Sequence, residues 1–344
     1  MRAPAFIIAA IAAAALAWAG WQVDPRGLLA GWLATWWFAT GALLGGLANV
    51  WLHQLTGGAW GDAIRAPLLR AARLLPLACL LFLPVLLGMH ALYPWVDHQP
   101  SGKPEEAFRD WWLSPGFFVA RSIGYLMLWS ALAWVETHAP RRSAGRAAAF
   151  LLLYGVSVGL AAVDWIMSLQ PHWYSSVFGW LAGAGQLLAG MALAVLLADR
   201  EAIRARLPDL GNLLLMYVLV WGYLSYSQFL VIWAADLPHE ISWYLRRSSA
   251  LWKTVAWLLA AVHLFAPLAL LLARRAKKAP RIMGMLAGGL LGAHLLDCWW
   301  LVLPSVEGLQ LRALWFAPAM AIVLAALAMT VRRPGAARGE GSHA

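Results

Sequence analysis

Charge and cysteine are what this chain has least of. Only 12% of its 344 residues are Asp, Glu, Lys or Arg, about half the share of a soluble domain. Most of the chain therefore sits where charge is costly, and lipid is the usual such place. There are two cysteines, Cys79 and Cys298, each inside an apolar run. No C-x-x-C or C-x-x-C-H occurs, which excludes cysteine-ligated iron–sulfur clusters and c-type haem. A role in electron transfer would have to borrow the centres of a partner. P-loop and dinucleotide fingerprints are lacking as well. Acids are fewer than bases, giving a net charge of +10. That excess does not point to nucleic acid, because the Lys and Arg fall in short loops between apolar runs and so report topology.

What is present is hydrophobic residue, 62% of the chain, and Trp, 23 of them. Trp prefers the headgroup level of a bilayer, where its ring and its N–H are both satisfied. Apolar runs of spanning length lie near 3–20, 28–52, 67–92, 116–136, 147–168, 176–198, 213–235, 250–273, 282–303 and 311–331. The pattern predicts an all-α polytopic transmembrane bundle of about ten spans. Residues 1–335 form one integral membrane domain, and 336–344 a short tail. The first run carries one basic residue before it and is long enough to span, so it reads as an uncleaved helix rather than a signal peptide.

Ten spans put both termini on one side. That side receives 18 of the 26 Lys and Arg, in clusters such as Arg65–Arg73, Arg141–Arg146, Arg200–Arg206 and Arg274–Arg281. The opposite side receives 8. The positive-inside rule then places both termini in the cytoplasm of a bacterial inner membrane. Acids, imidazoles and indoles gather on the other face: Asp97, His98, Glu105, Glu106 and Asp110; Asp164 and His172; Asp236, His239 and Glu240.

Ionisable groups inside a span cost free energy, and each is a functional candidate. His263 and His294 lie near the middle of their spans, and Asp297 shares a helical face with His294. A carboxylate and an imidazole at that spacing can pass a proton; a neutral imidazole bonded to a neighbouring helix is the plainer alternative. His263 and His294 are also the one pair that could meet at matched depth as axial haem ligands. With no stronger motif, the chain is expected to carry neither metal nor haem. Asp164, near the end of the fifth span, either exchanges protons with His172, with Glu240 extending the route, or caps the broken helix end or pairs with Arg121.

Three segments carry a family resemblance. Asp164-Trp165-Ile166-Met167-Ser168-Leu169-Gln170-Pro171-His172-Trp173-Tyr174-Ser175 is a hinge in which Pro171 cannot continue a helix. His53-Gln54-Leu55-Thr56-Gly57-Gly58-Ala59-Trp60-Gly61 follows the second run. Tyr226-Ser227-Gln228-Phe229-Leu230-Val231-Ile232-Trp233 leads into Asp236-Leu237-Pro238-His239-Glu240. Together they resemble the ActF-type membrane subunit of alternative complex III, a quinol:cytochrome c (or cytochrome oxidase) oxidoreductase, over roughly residues 50–315. Arg246, Arg247 and Lys253 do not all find a counterpart in that pattern.

The resemblance implies two four-helix bundles plus two peripheral helices, and no cofactor of its own, with quinone or quinol as the ligand to expect. Asp164, His172, Tyr174, Asp236 and Glu240 would form the quinone or proton face, and His263, His294 and Asp297 an intramembrane proton path. The implied partners are a paralogous quinol-oxidising membrane subunit, a periplasmic iron–sulfur subunit and c-type haem subunits. Two other functions compete: a scaffold that only docks redox subunits, and an unrelated transporter. Transporters favour broken helices at the midplane, whereas the break at Pro171 falls at the surface.

Overall fold

A computed structural model describes residues 15, 17–97, 103–138 and 142–308. Most of the expected first span, all of the expected span at 311–331, the tail, and the candidates His98 and Arg141 lie outside the described residues. Within them the chain is helical, and no strand occurs. Seven helices are long and apolar enough to cross a membrane, or eight if a bent pair counts as one span. That makes a multi-pass helical membrane protein.

Local chemistry sets the helix ends. Helix α1 (Pro25–Thr56) begins with Pro at its first position and Asp24 accepting a hydrogen bond from the Gly27 amide. It stops at Gly57, whose φ of 71° lies in the left-handed region that glycine tolerates. The expected continuous span at 67–92 is instead broken. Helix α2 (Ala59–Ala72) and helix α3 (Leu75–Leu87) meet at 42°. Pro76 and Pro84 each stand at the start of a short helical piece, where their missing N–H costs nothing. Helices α4 (Pro115–His138) and α5 (Ala144–Trp165) follow. Then come α6 (Phe178–Leu197), α7 (Leu207–Ala235), α8 (Ala250–Leu272) and α9 (Pro280–Val302).

The outward surface is apolar, with Leu87, Met127, Trp180 and Trp257 exposed as lipid-facing groups would be. Contact inside is made by small residues, the usual device where lipid removes the hydrophobic drive between helices. Helix α1 is buried along most of its length and crosses α6 at glycines. A Cβ on Gly45 would lie 1.8 Å from the Gln186 carbonyl oxygen, and one on Gly190 2.2 Å from the Gly45 carbonyl carbon. Tryptophan is used in the interior as well as at the rim: Trp36, Trp37, Trp51, Trp129, Trp165 and Trp243 are fully buried. Trp165 packs against Phe82 at 4.3 Å between ring centroids and donates to Ser122 Oγ at 2.8 Å.

Contacts sort the connecting segments onto the two sides read from the arginine pattern. On one side Arg65 meets Glu136, Arg142 meets Asp62, and Lys277 reaches Asn212. On the other, Arg246 pairs with Glu307, and Arg26, His90, Arg109 and His172 line one cavity with them. These are called the basic side and the aromatic side below.

Candidate functional site

The polar groups expected inside the spans do come together. His263 lies midway along α8 and is fully buried. Six residues around it, Ala260–Phe265, form a π-helical turn. Pro267 accounts for the turn: it offers no N–H to the His263 carbonyl four residues earlier, and in an α-helix its ring would press on that oxygen. The wider turn relieves the clash and carries the imidazole against α7 and α9. Its ring centroid lies 4.1 Å from that of Trp221 and 5.8 Å from that of His294.

His294 and Asp297 project from one face of α9. His294 Nδ1 is 3.7 Å from Asp297 Oδ2, and that oxygen accepts a hydrogen bond from Trp221 Nε1 at 3.1 Å. Cys298 Sγ lies 3.8 Å from His294 Nε2. The imidazole sits directly on Gly185 of α6, where a Cβ would fall 2.5 Å from His294 Cε1. Neither ring nitrogen of His263, nor Nδ1 of His294, has a hydrogen-bond partner among the described residues. A buried donor left unmade costs about 1–3 kcal/mol, so such groups persist where something else is gained. Asp297 has no arginine or lysine against it among the described residues. The one ion pair within reach of Asp297 among the described residues is with His294 itself, when that imidazole is protonated.

Asp164 is different. Its carboxylate is 0% exposed and takes four donors: Arg121 Nε to Oδ2 at 2.8 Å, Arg121 Nη2 to Oδ1 at 2.9 Å, Trp112 Nε1 to Oδ1 at 2.8 Å and Tyr125 hydroxyl to Oδ2 at 2.9 Å. The guanidinium sits in the corner formed by the Trp112 and Phe117 rings, its carbon 4.1 and 4.2 Å from their centroids. Of the roles open to Asp164 in the sequence, the geometry has the pairing with Arg121. His172 and Glu240 are not among its partners.

The hinge after Asp164 does meet the segment after α7, as two of the three motif stretches lie together on the aromatic side. Ser175 donates to Gln228 Oε1 at 3.1 Å, and Trp173 Nε1 donates to the Glu240 carbonyl at 3.1 Å. Trp173 also stacks on Trp243 at 4.1 Å, and Tyr174 faces His239 at 6.0 Å. Asp236 ends α7 in the left-handed region, φ 51°, with its amide bonded to the Ile232 carbonyl. His172 and Tyr174 are exposed and Glu240 half-buried. Arg109 lies 3.3 Å from His172 and 2.5 Å from Glu106.

A groove of about 560 Å³ runs here between Phe108, Trp112, Val163, Met167 and Trp173. It shares Glu106, Arg109 and His172 with the polar cavity of about 860 Å³ beside it. An apolar slot ending at an imidazole and ion pairs suits an amphipathic molecule with a polar head.

Two functional-looking groups escaped the sequence reading. Arg247 is buried with no carboxylate against it among the described residues. It donates to the Trp300, Trp243 and Leu301 carbonyls and to Ser305 Oγ, and lies 3.3 Å over the Trp243 ring. Burial pulls its pKa down, while the carbonyl ends of two helices favour the cation. Gln170 bonds the same Ser305 at 2.9 Å, so Arg247 ties the hinge region to the end of α9. Glu136, at the basic side, is buried and held by Arg65 at 2.9 Å, Gln54 at 2.6 Å and Arg146 at 3.5 Å. The His53–Gly61 stretch beside it is a turn: His53 Nε2 meets the Gly58 carbonyl at 2.7 Å, and Gly58 has φ 94°.

No known family model matches the chain, and no curated protein matches it.

Proposed function

We propose that the chain is a membrane subunit of a respiratory quinol-oxidising complex, and that His263, His294 and Asp297 form its intramembrane proton-handling site. One observation carries the reading: an acid and two imidazoles from two neighbouring spans, α8 and α9, come together at a π-turn, with three of the four ring nitrogens unpartnered and no arginine or lysine against the acid among the described residues. Intramembrane groups of this kind mark proton or ion routes. A purely structural contact would be expected to close its hydrogen bonds, as Asp164 does.

Oxidation of one quinol releases two electrons and two protons. The electrons pass to redox centres on partner subunits, since this chain has no cysteine motif for a cluster or a c-type haem. The resemblance supplies their class: an iron–sulfur subunit and c-type haem subunits, beside a paralogous quinol-oxidising subunit. The chain's own part is to bind and to move protons. The groove at Trp112, Met167 and Trp173 takes the apolar body of the quinol, with His172, Arg109 and Glu106 at its polar end. Both termini face the cytoplasm of a bacterial inner membrane, and quinol is oxidised on the aromatic side.

The test is purification of the tagged chain from the membranes of its native organism. The reading expects haem c absorbance, an iron–sulfur protein and quinol:cytochrome c activity in one complex. Recovery of the chain alone, with none of these at any detergent strength, contradicts it.

A further inference from the structure

The hairpin between α8 and α9 stands apart from every other connection. Arg274, Arg275, Lys277, Lys278 and Arg281 fall within eight residues, and the chain has no Asp or Glu between Glu240 and Asp297. Three other cations of the basic side have acids against them, Arg65 and Arg146 at Glu136 and Arg142 at Asp62, and no other connection carries five cations in eight residues. Arg274, Arg275, Lys278 and Arg281 are exposed and make no ion pair among the described residues. Lys277 anchors the hairpin instead, donating to Asn212 Oδ1 at 2.5 Å at the start of α7. Its stem lies where a Cβ on Gly211 would come within 2.9 Å. With α8 ending at Leu272 and α9 starting at Pro280, the cations are held within a few residues of two spans. That is headgroup depth.

We infer that this hairpin is a binding site for anionic phospholipid headgroups. Like-charged side chains crowded without acids repel one another, and a phosphate between them removes that repulsion while keeping each cation hydrated on its outer side. Cations so placed gain about 1 kcal/mol each from an anionic membrane surface. Lys277 and the two flanking spans fix the spacing, so the site is preformed rather than a loose tail. The inference holds whichever side of the membrane the hairpin faces, and it is independent of the quinol reading.

The experiment uses the full chain in nanodiscs of phosphatidylcholine mixed with phosphatidylglycerol, with retained lipid counted by native mass spectrometry. The parent should retain phosphatidylglycerol in preference to phosphatidylcholine, and the preference should fade as ionic strength rises. Arg274→Gln, Arg275→Gln, Lys278→Gln and Arg281→Gln should each weaken retention roughly fivefold, the equivalent of about 1 kcal/mol. Arg142→Gln, whose cation already has Asp62, should leave it unchanged. Equal retention of the two lipids by the parent overturns the site without any variant. So does a folded quadruple variant that keeps the parental preference.

Discussion

Removing both halves of the Arg121–Asp164 clamp should cost less than the sum of removing each alone. Asp164→Asn keeps the shape of the side chain but leaves the guanidinium, 9% exposed, without a counter-charge. Breaking a buried pair this way costs about 3–5 kcal/mol, or roughly a hundredfold to a few thousandfold in the folding equilibrium. Arg121→Met strands the carboxylate instead and gives up the cation–π contacts with Trp112 and Phe117, so its cost should fall at the upper end of that range. In Arg121→Met/Asp164→Leu neither charge remains. The Trp112 and Tyr125 donors are then left over, at about 1–3 kcal/mol each at most, and apolar packing offsets part of that. The double variant should therefore be more stable than the sum of the single losses by about 3 kcal/mol. Cys79 and Cys298 are both buried, so a thiol-reactive dye reports unfolding of the detergent-solubilised chain without a further label. Additive losses, or single variants within about 1 kcal/mol of the parent, would refute the clamp.

Gly45→Leu should abolish a stable fold, because a side chain there meets the α6 backbone at 1.8 Å, whereas Gly284→Ala, with nothing within 4 Å, should be neutral in the same assay. Arg247→Lys should lose about 3 kcal/mol or more, since one ammonium cannot serve the four acceptors and the Trp243 face together; an Arg247→Lys chain with parental melting would dispose of the tie it is assigned. Reporter fusions after residues 145, 278 and 340 should be active only with a cytoplasmic reporter, and a periplasmic signal at 278 would reverse the orientation. His294→Phe should slow quinol-dependent turnover while the complex still assembles, and normal turnover would make the histidine a packing residue.

The spans were legible because lipid demands long apolar helices, and seven of the described helices fall on expected runs with ends shifted by a few residues. The break in the third run was signalled by Pro76 and Pro84, which hydropathy alone passes over. Pairing of Arg121 with Asp164 could be read from their matched depth near the ends of neighbouring spans. The same reasoning applies to Glu136, an acid two residues from the end of α4 with Arg65 and Arg146 at its level. Trp165 and Trp243 read as rim residues because of their height in the membrane. They are core residues because their rings pack within buried aromatic clusters, Trp165 against Trp36, Phe82 and Trp129 and Trp243 against Trp173 and Phe178. The sequence places His263 and His294 at matched depth but leaves open whether they face each other. Each lies near mid-span, but only the π-turn forced by Pro267 sets the facing direction of the first, and only Gly185 lets α6 close on the second.

Asp297 is the buried acid with no arginine or lysine against it among the described residues. Asp297→Asn keeps the acceptor for Trp221 Nε1 and nearly the same volume, but carries no proton between His294 and His263. Quinol:cytochrome c turnover of the assembled complex should then fall by about tenfold or more, the lower range for loss of a proton-transfer group, with subunit content unchanged. An assembled Asp297→Asn complex that turns over at the parental rate from pH 6 to 8 would contradict the proton-handling site.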